Sequence, residues 1–150
     1  DLALEDLLAS LQAHPSFFVN YYYLGMVYIQ TEQNEEALKA FARALQLGGD
    51  PLEINLRIAC VYALQGGLRQ EAGKILAEAI RVSNQSYFSQ VSIATVYAAL
   101  GDRDQVMACL ERAVAERDIK LVYLKVHPLF DRVRRDPRYQ NLLRKIGLEK

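Results

Sequence analysis

Any chemistry in this chain would have to come from very few side chains. The sequence holds two histidines, His14 and His127, and two cysteines, Cys60 and Cys109. A metal site needs three or four ligands at characteristic spacing, and a catalytic pair needs a base beside its nucleophile. Each histidine precedes a proline, in His14-Pro15 and His127-Pro128, which places it in an inter-helix turn with no partner at ligand or catalytic spacing. Cys60 and Cys109 lack metal-type spacing and read as unpaired buried thiols of a reducing, cytoplasmic compartment. No glycine-rich phosphate loop or Gly-x-Ser-x-Gly motif occurs, and Gly48-Gly49 and Gly66-Gly67 read as helix-ending turns. Asp136-Pro137-Arg138 reads as an N-cap, a first-turn proline and an exposed arginine. The expectation is a chain that is not an enzyme and takes no cofactor and no metal. One aromatic cluster stands out. Tyr21, Tyr22 and Tyr23 sit on successive helical positions, so they face different ways, with at least one in the core and one toward any groove.

The elements that must carry these side chains repeat. Tyr28, Tyr62 and Tyr97 recur at intervals of 34 and 35 residues. Each has a large aliphatic four residues earlier (Leu24, Ile58, Ile93) and a tiny residue three earlier (Gly25, Ala59, Ala94). Downstream come Ala37, Ala72 and Val106, then Phe41, Leu76 and Leu110, then Ala44, Ala79 and Ala113. The leading trios are spaced 34 then 35, the trailing ones 35 then 34, so a single inserted residue near Gln65-Gly66-Gly67 explains both shifts. Small residues let the two helices of a hairpin approach, while the tyrosines fill the wedge to the next helix. The same pattern reaches back into Ala3, Leu7, Ser10 and Pro15, so the chain starts on the second helix of a unit; a fragment of a longer protein or an atypical capping helix both fit.

Start and stop signals place helices at about 1–13, 16–31, 34–47, 51–65, 68–82, 86–100 and 102–116. Asp50-Pro51-x-Glu53 supplies an N-cap, a first-turn proline and a capping-box acid, while Ser16, Asn34 and Asp102 mark further starts. No alternating strand pattern competes. At 150 residues and 51% hydrophobic content the chain can bury one continuous core, and no apolar run is long enough to span a bilayer.

The unit Tyr21-x-x-Leu24-Gly25-x-x-Tyr28, followed by Ala37-x-x-x-Phe41-x-x-Ala44, resembles the tetratricopeptide repeat, with tyrosine where that family usually has tryptophan. The resemblance implies an all-α, right-handed α-solenoid of helical hairpins closed by a divergent C-terminal helical cap. Residues 1–116 would form the array, with a half unit at 1–15 and units at about 18–51, 52–86 and 87–116; residues 117–150 would form the cap. The ending, with Pro128-Leu129-Phe130-Asp131, Asp136-Pro137-Arg138-Tyr139 and Leu142-Leu143-Arg144-Lys145-Ile146-Gly147-Leu148, is similar to that of many bacterial tetratricopeptide proteins in which the array follows a signalling module. The run that starts at Leu121-Val122-Tyr123-Leu124 reads as a short apolar helix, followed by a break at Pro128, a compact turn and a capped amphipathic helix from Asp136-Pro137. In that last helix Leu142, Leu143 and Ile146 would cover the apolar end of the last repeat.

Family members line their concave groove with the first helix of each unit. Transferred by phase, the resemblance puts Tyr22, Met26 and Ile29 in the groove from the first unit. Leu56, Arg57, Cys60 and Leu64 come from the second unit, and Phe88, Val91, Thr95 and Ala98 from the third. This lining is mostly apolar or small, and only Arg57 could serve in the clamp for acidic tails that some members carry. An apolar groove fits a hydrophobic peptide or an amphipathic helix. The same residues would equally serve helix packing, or be covered by the chain's own tail. The expected function is protein–protein interaction, as the regulatory or scaffold part of a larger bacterial signalling protein. Self-association through uncovered repeat ends is the alternative, with a homo-oligomer as its product. The charge is divided: residues 116–150 hold 10 Lys/Arg and 5 Asp/Glu, and residues 1–115 hold 8 and 13. A basic tail could meet nucleic acid or an acidic partner, but packing on the acidic body or a solvated face accounts for it more simply, so nucleic acid is disfavoured.

Overall fold

A computed structural model describes residues 2–148, with the side chains of residues 2–4 excluded; Asp1, the Ala3 side chain and residues 149–150 therefore lie outside the described part. The described residues form eight α-helices and no strand: α1 (Leu2–Ala13), α2 (Phe18–Gln30), α3 (Asn34–Gln46), α4 (Pro51–Gln65), α5 (Arg69–Ser83), α6 (Gln90–Leu100), α7 (Arg103–Ala115) and α8 (Pro137–Lys145). Two 3-10 helices, Ile119–Tyr123 and Pro128–Arg132, lie between α7 and α8. The most extensive packing is within the pairs α2–α3, α4–α5 and α6–α7, and α4 also packs along α6. The fold is an all-α repeat solenoid.

Each hairpin closes where the sequence places a small residue. A Cβ added to Gly25 would lie 2.5 Å from Phe41 Cε1, so the α2–α3 crossing has room for glycine and for no side chain. Phe41, Leu110 and the alanines Ala37, Ala44, Ala59, Ala72, Ala79, Ala94 and Ala113 are fully buried, and Leu76 nearly so. Tyr28, Tyr62 and Tyr97 are half-buried and pack against this core. Gly66, at the insertion, ends α4 with φ +77°.

Several starts differ from the sequence reading, each for a local reason. Phe17, not Ser16, occupies the N-cap of α2, and Gln33 that of α3, neither with a side-chain cap bond. Helix α6 begins at Gln90 rather than 86, because Ser89 caps it by accepting from the Ser92 N–H at 3.2 Å and donates its own hydroxyl to Asp118 at 2.8 Å. Asp50 does cap α4, accepting from the Glu53 N–H at 2.7 Å, but the Glu53 carboxylate leaves the cap and turns toward Tyr22, Arg57 and Lys120.

The tail is the larger departure. Instead of an apolar helix, residues 119–132 form two 3-10 turns that run against α6. Buried Asp118 starts this path by accepting from Ser89 Oγ, the Val91 N–H (3.2 Å) and the Lys120 N–H (2.9 Å). Leu124, Leu129, Phe130 and Val133 then join the core of α4 and α6, and the Tyr139 hydroxyl donates to the Leu124 carbonyl at 2.8 Å. Helix α8 buries Leu142 and Leu143, leaves Ile146 half-buried, and packs on α7, where Arg138 pairs with Asp104 at 2.8 Å.

Candidate protein-binding groove

Contacts one repeat period apart show how the first helices of successive units line up. Arg57 donates to the Ser92 carbonyl at 3.5 Å, and Cys60 Sγ lies 3.7 Å from Thr95 Oγ1; both pairs are 35 residues apart. Small Ser92 and Thr95 let α6 close on α4. One period toward the N-terminus the equivalent pairs are Tyr23 with Arg57 and Met26 with Cys60, of which only Cys60 is small, and α2 touches α4 only sparingly. The concave side is thus shut between α4 and α6 and open beside α2.

The opening is a cavity of about 850 Å³. Helix α2 provides one wall through Phe18, Tyr22, Tyr23, Met26 and Val27, with Leu7 and Ser10 of α1 at its end. Glu53, Ile54 and Arg57 of α4, and Val91, Ser92 and Thr95 of α6, form the floor. The opposite wall is the tail itself, through Lys120, Tyr123, Val126, His127 and Pro128. A second cavity of about 440 Å³ continues past Met26 and Gln30 to Leu64, Leu129 and Arg132.

A polar cluster sits on this floor. Glu53 accepts from the Tyr22 hydroxyl at 3.2 Å, pairs with Arg57 at 3.2 Å and with Lys120 at 2.7 Å, and Lys120 also donates to Ser92 Oγ at 2.7 Å. Burial alone would push the Glu53 carboxyl up, yet Arg57 and Lys120 outweigh it and hold the group down at about 2. Burial and the neighbouring Glu53 raise the Tyr22 phenol, against the pull of Arg57. His127 caps the second 3-10 turn, its Nδ1 accepting from the Leu129 N–H at 3.3 Å; burial and the nearby Arg57 lower its pKa to about 4 and keep the ring neutral. Burial pushes the Cys60 thiol up and Cys109 up to about 11, so neither carries the thiolate that a nucleophile needs. Among the described residues no group of three His, Cys, Asp or Glu could hold a metal, and no helix is long and apolar enough to cross a membrane.

The sequence-derived lining divides sharply. Tyr22, Met26, Arg57, Val91 and Thr95 line the larger cavity, and Met26, Ile29 and Leu64 the smaller. Leu56, Cys60 and Ala98 line neither; they are fully buried in the core that α4 and α6 share with the tail. Phe88 is half-buried against that same core. Sequence reasoning missed Glu53, Ser92, Lys120, Tyr123, Val126 and His127. Glu53 and Arg57 stand four apart, a helical ion-pair spacing that could have flagged the floor. Nothing local announces Lys120.

The family model for the tetratricopeptide repeat matches residues 19–50, the stretch that folds as the α2–α3 hairpin. Residues 19–50 thus carry a tetratricopeptide-type repeat, set in an all-α repeat fold. The hairpins α4–α5 and α6–α7 repeat the small and bulky positions of the matched unit. Searches of curated proteins and of solved structures found no match. Tetratricopeptide repeats generally mediate protein–protein interaction and are not themselves catalytic.

Proposed function

We propose that this chain is a protein–protein interaction module that takes an apolar peptide or helix in the open, N-terminal half of its concave groove. The observation that carries the reading is the asymmetry of the groove. The tail packs against α6 and reaches α4 through the Lys120–Glu53 pair, while Tyr22, Tyr23, Met26 and Val27 of α2 face an 850 Å³ space walled opposite by Tyr123 and Val126. Two apolar walls around a polar floor match what peptide grooves require: large anchors for affinity and few polar contacts for register. The binding set is then Tyr22, Met26, Ile29, Arg57, Leu64, Val91 and Thr95, with Leu56, Cys60, Phe88 and Ala98 supporting it from beneath.

Within this reading, residues 1–116 act as the array, with α1 as its half unit, and residues 117–150 as the cap. The similarity of the ending to bacterial tetratricopeptide signalling proteins supports a cytoplasmic, regulatory or scaffold role inside a larger protein.

Panning a random dodecapeptide library on the protein tests the groove. Apolar-rich binders are expected on wild type and not on Tyr23→Glu or Met26→Glu, both on the open wall; equal recovery on all three would refute the site. Leu56 is unsuitable for such a test, because a charge there would unfold the core. One observation favours a second reading, self-association: Ile119, Val122, Tyr123 and Val126 of the tail are all more than half exposed. Light scattering over a dilution series decides it, since a mass that stays monomeric at high concentration excludes that reading.

A further inference from the structure

The floor of the groove is not electrically balanced. One carboxylate, Glu53, faces two cations, Arg57 and Lys120. Arg57 is 2% exposed, and its Nε is buried without a hydrogen-bond partner. The cluster therefore has more cationic N–H donors than acceptors, in a place where solvent screens charge weakly. A buried donor of this kind is costly unless something completes it. The other carboxylates at the cavity, Asp6 and Asp50, are exposed, and Asp50 is engaged as the α4 cap, so neither offsets the floor.

We propose that the segment bound in the groove carries one acidic side chain within an otherwise apolar face, and that Lys120 and Arg57 hold this carboxylate against the floor. The inference rests on the groove being a peptide site. Lys120 is the group a ligand meets first, its side chain being one-third exposed while that of Arg57 is covered. Arg57 acts beneath it as a fixed positive charge.

The geometry places the acid inside the segment rather than at its end. The α2 wall presents Phe18, Tyr22, Met26 and Gln30 as one stripe, about 18 Å long at the helical rise of 1.5 Å per residue. The Tyr22 hydroxyl bonds Glu53, which fixes the level of the polar floor one turn from Phe18 and two turns from Gln30. Apolar lining continues on both sides of that level, through Phe18 and Ile54 one way and Met26 and Val27 the other. A segment lying along α2 passes over the cations and goes on. Because Lys120 belongs to the tail, the recognition site exists only with the tail docked, so the repeats alone do not build it.

The dodecapeptides selected on the whole chain supply the probes. The selected sequences should share one Asp or Glu flanked by large apolar residues. Synthetic acetylated and amidated copies, which carry no terminal charge, then isolate the side chain. Replacing the acid with Gln in the peptide should weaken binding about tenfold. Lys120→Met, with Lys120→Gln as a second variant, should bring the acidic and amide peptides to within about twofold of each other. Glu53→Gln removes the competing carboxylate and should tighten the acidic peptide by about threefold or more, a gain that damage to the fold would not produce. Selected peptides without an acid, or equal binding of acidic and amide copies that is still lost in Met26→Glu, would overturn the inference and leave the groove intact. No selected peptide, or binding indifferent to Met26→Glu, would overturn the groove and the inference with it.

Discussion

His127 gives the sharpest test of how the tail is held. Its ring sits neutral between the groove and the second 3-10 turn, with Arg57, Lys120, Glu53 and Asp131 as its charged neighbours and a pKa lowered from 6.5 to about 4. A depressed histidine is protonated more readily in the unfolded chain than in the folded one. Falling pH therefore favours unfolding, beginning near the unfolded value of 6.5 and continuing until the folded ring titrates near 4. Between pH 7.5 and pH 5.0 the linkage relation gives a loss of about 2 kcal/mol from this one group. Glu53 adds little in that window, because its folded value near 2 and its ordinary value of 4.5 both lie below pH 5. The variant His127→Asn retains a side-chain acceptor for the Leu129 N–H but does not titrate. Urea melts at the two pH values are the assay, with a slope of about 2 kcal/mol per molar expected for a chain of this size. The wild-type midpoint should then fall by about 1 M more than that of the Asn variant. Equal losses in the two proteins, or an NMR titration of the His127 ring near 6.5, would refute the reasoning.

Four other variants probe the packing of the hairpins and the docking of the tail. Gly25→Ala drives a methyl into the buried Phe41 ring and should cost about 1–3 kcal/mol despite alanine's better helix propensity. Gly73→Ala in α5 meets nothing within 4 Å and should instead gain about 0.5–1 kcal/mol; thermal melts that move both variants the same way would contradict the packing assigned to the hairpin. Asp118→Ala strands the Val91 and Lys120 N–H groups and the Ser89 hydroxyl, so a loss of about 2–4 kcal/mol is expected, with amide exchange accelerating at residues 89–92 and 119–124 before the α2–α3 hairpin. Tyr139→Phe removes the buried bond to the Leu124 carbonyl and should cost about 1–2 kcal/mol in chemical denaturation; an unchanged midpoint would mean the hydroxyl does not hold the tail.

The repeat was legible in the sequence because its cause is local and periodic. A small residue at Gly25, Ala59 and Ala94 opposite a bulky one at Phe41, Leu76 and Leu110 must recur wherever a hairpin crosses closely. Taken with the resemblance to the tetratricopeptide repeat, the same phase assigned Tyr22, Met26, Arg57 and Thr95 to the groove face, and all four line the larger cavity. Phase says which way a side chain points. It does not say whether anything lies on top of it.

That second question depended on the path of residues 117–136, which no periodic signal governs. Apolar content suggested a short helix from Leu121 up to the Pro128 break, yet Ile119, Val122, Tyr123 and Val126 face solvent, and Leu124 takes the buried position. Asp118 decides the path by tying Ser89 and Val91 on α6 to the start of the tail, partners 29 and 27 residues away in sequence. With the tail so placed, Leu56, Cys60 and Ala98 become core, and Lys120 reaches Glu53 across 67 positions of chain. The amino-acid sequence by itself determined the repeating hairpins and the apolar character of their concave side. Tertiary structure alone decided which half of that side stays open and what charge lies on its floor, because both follow from contacts between segments whose separation carries no sequence period.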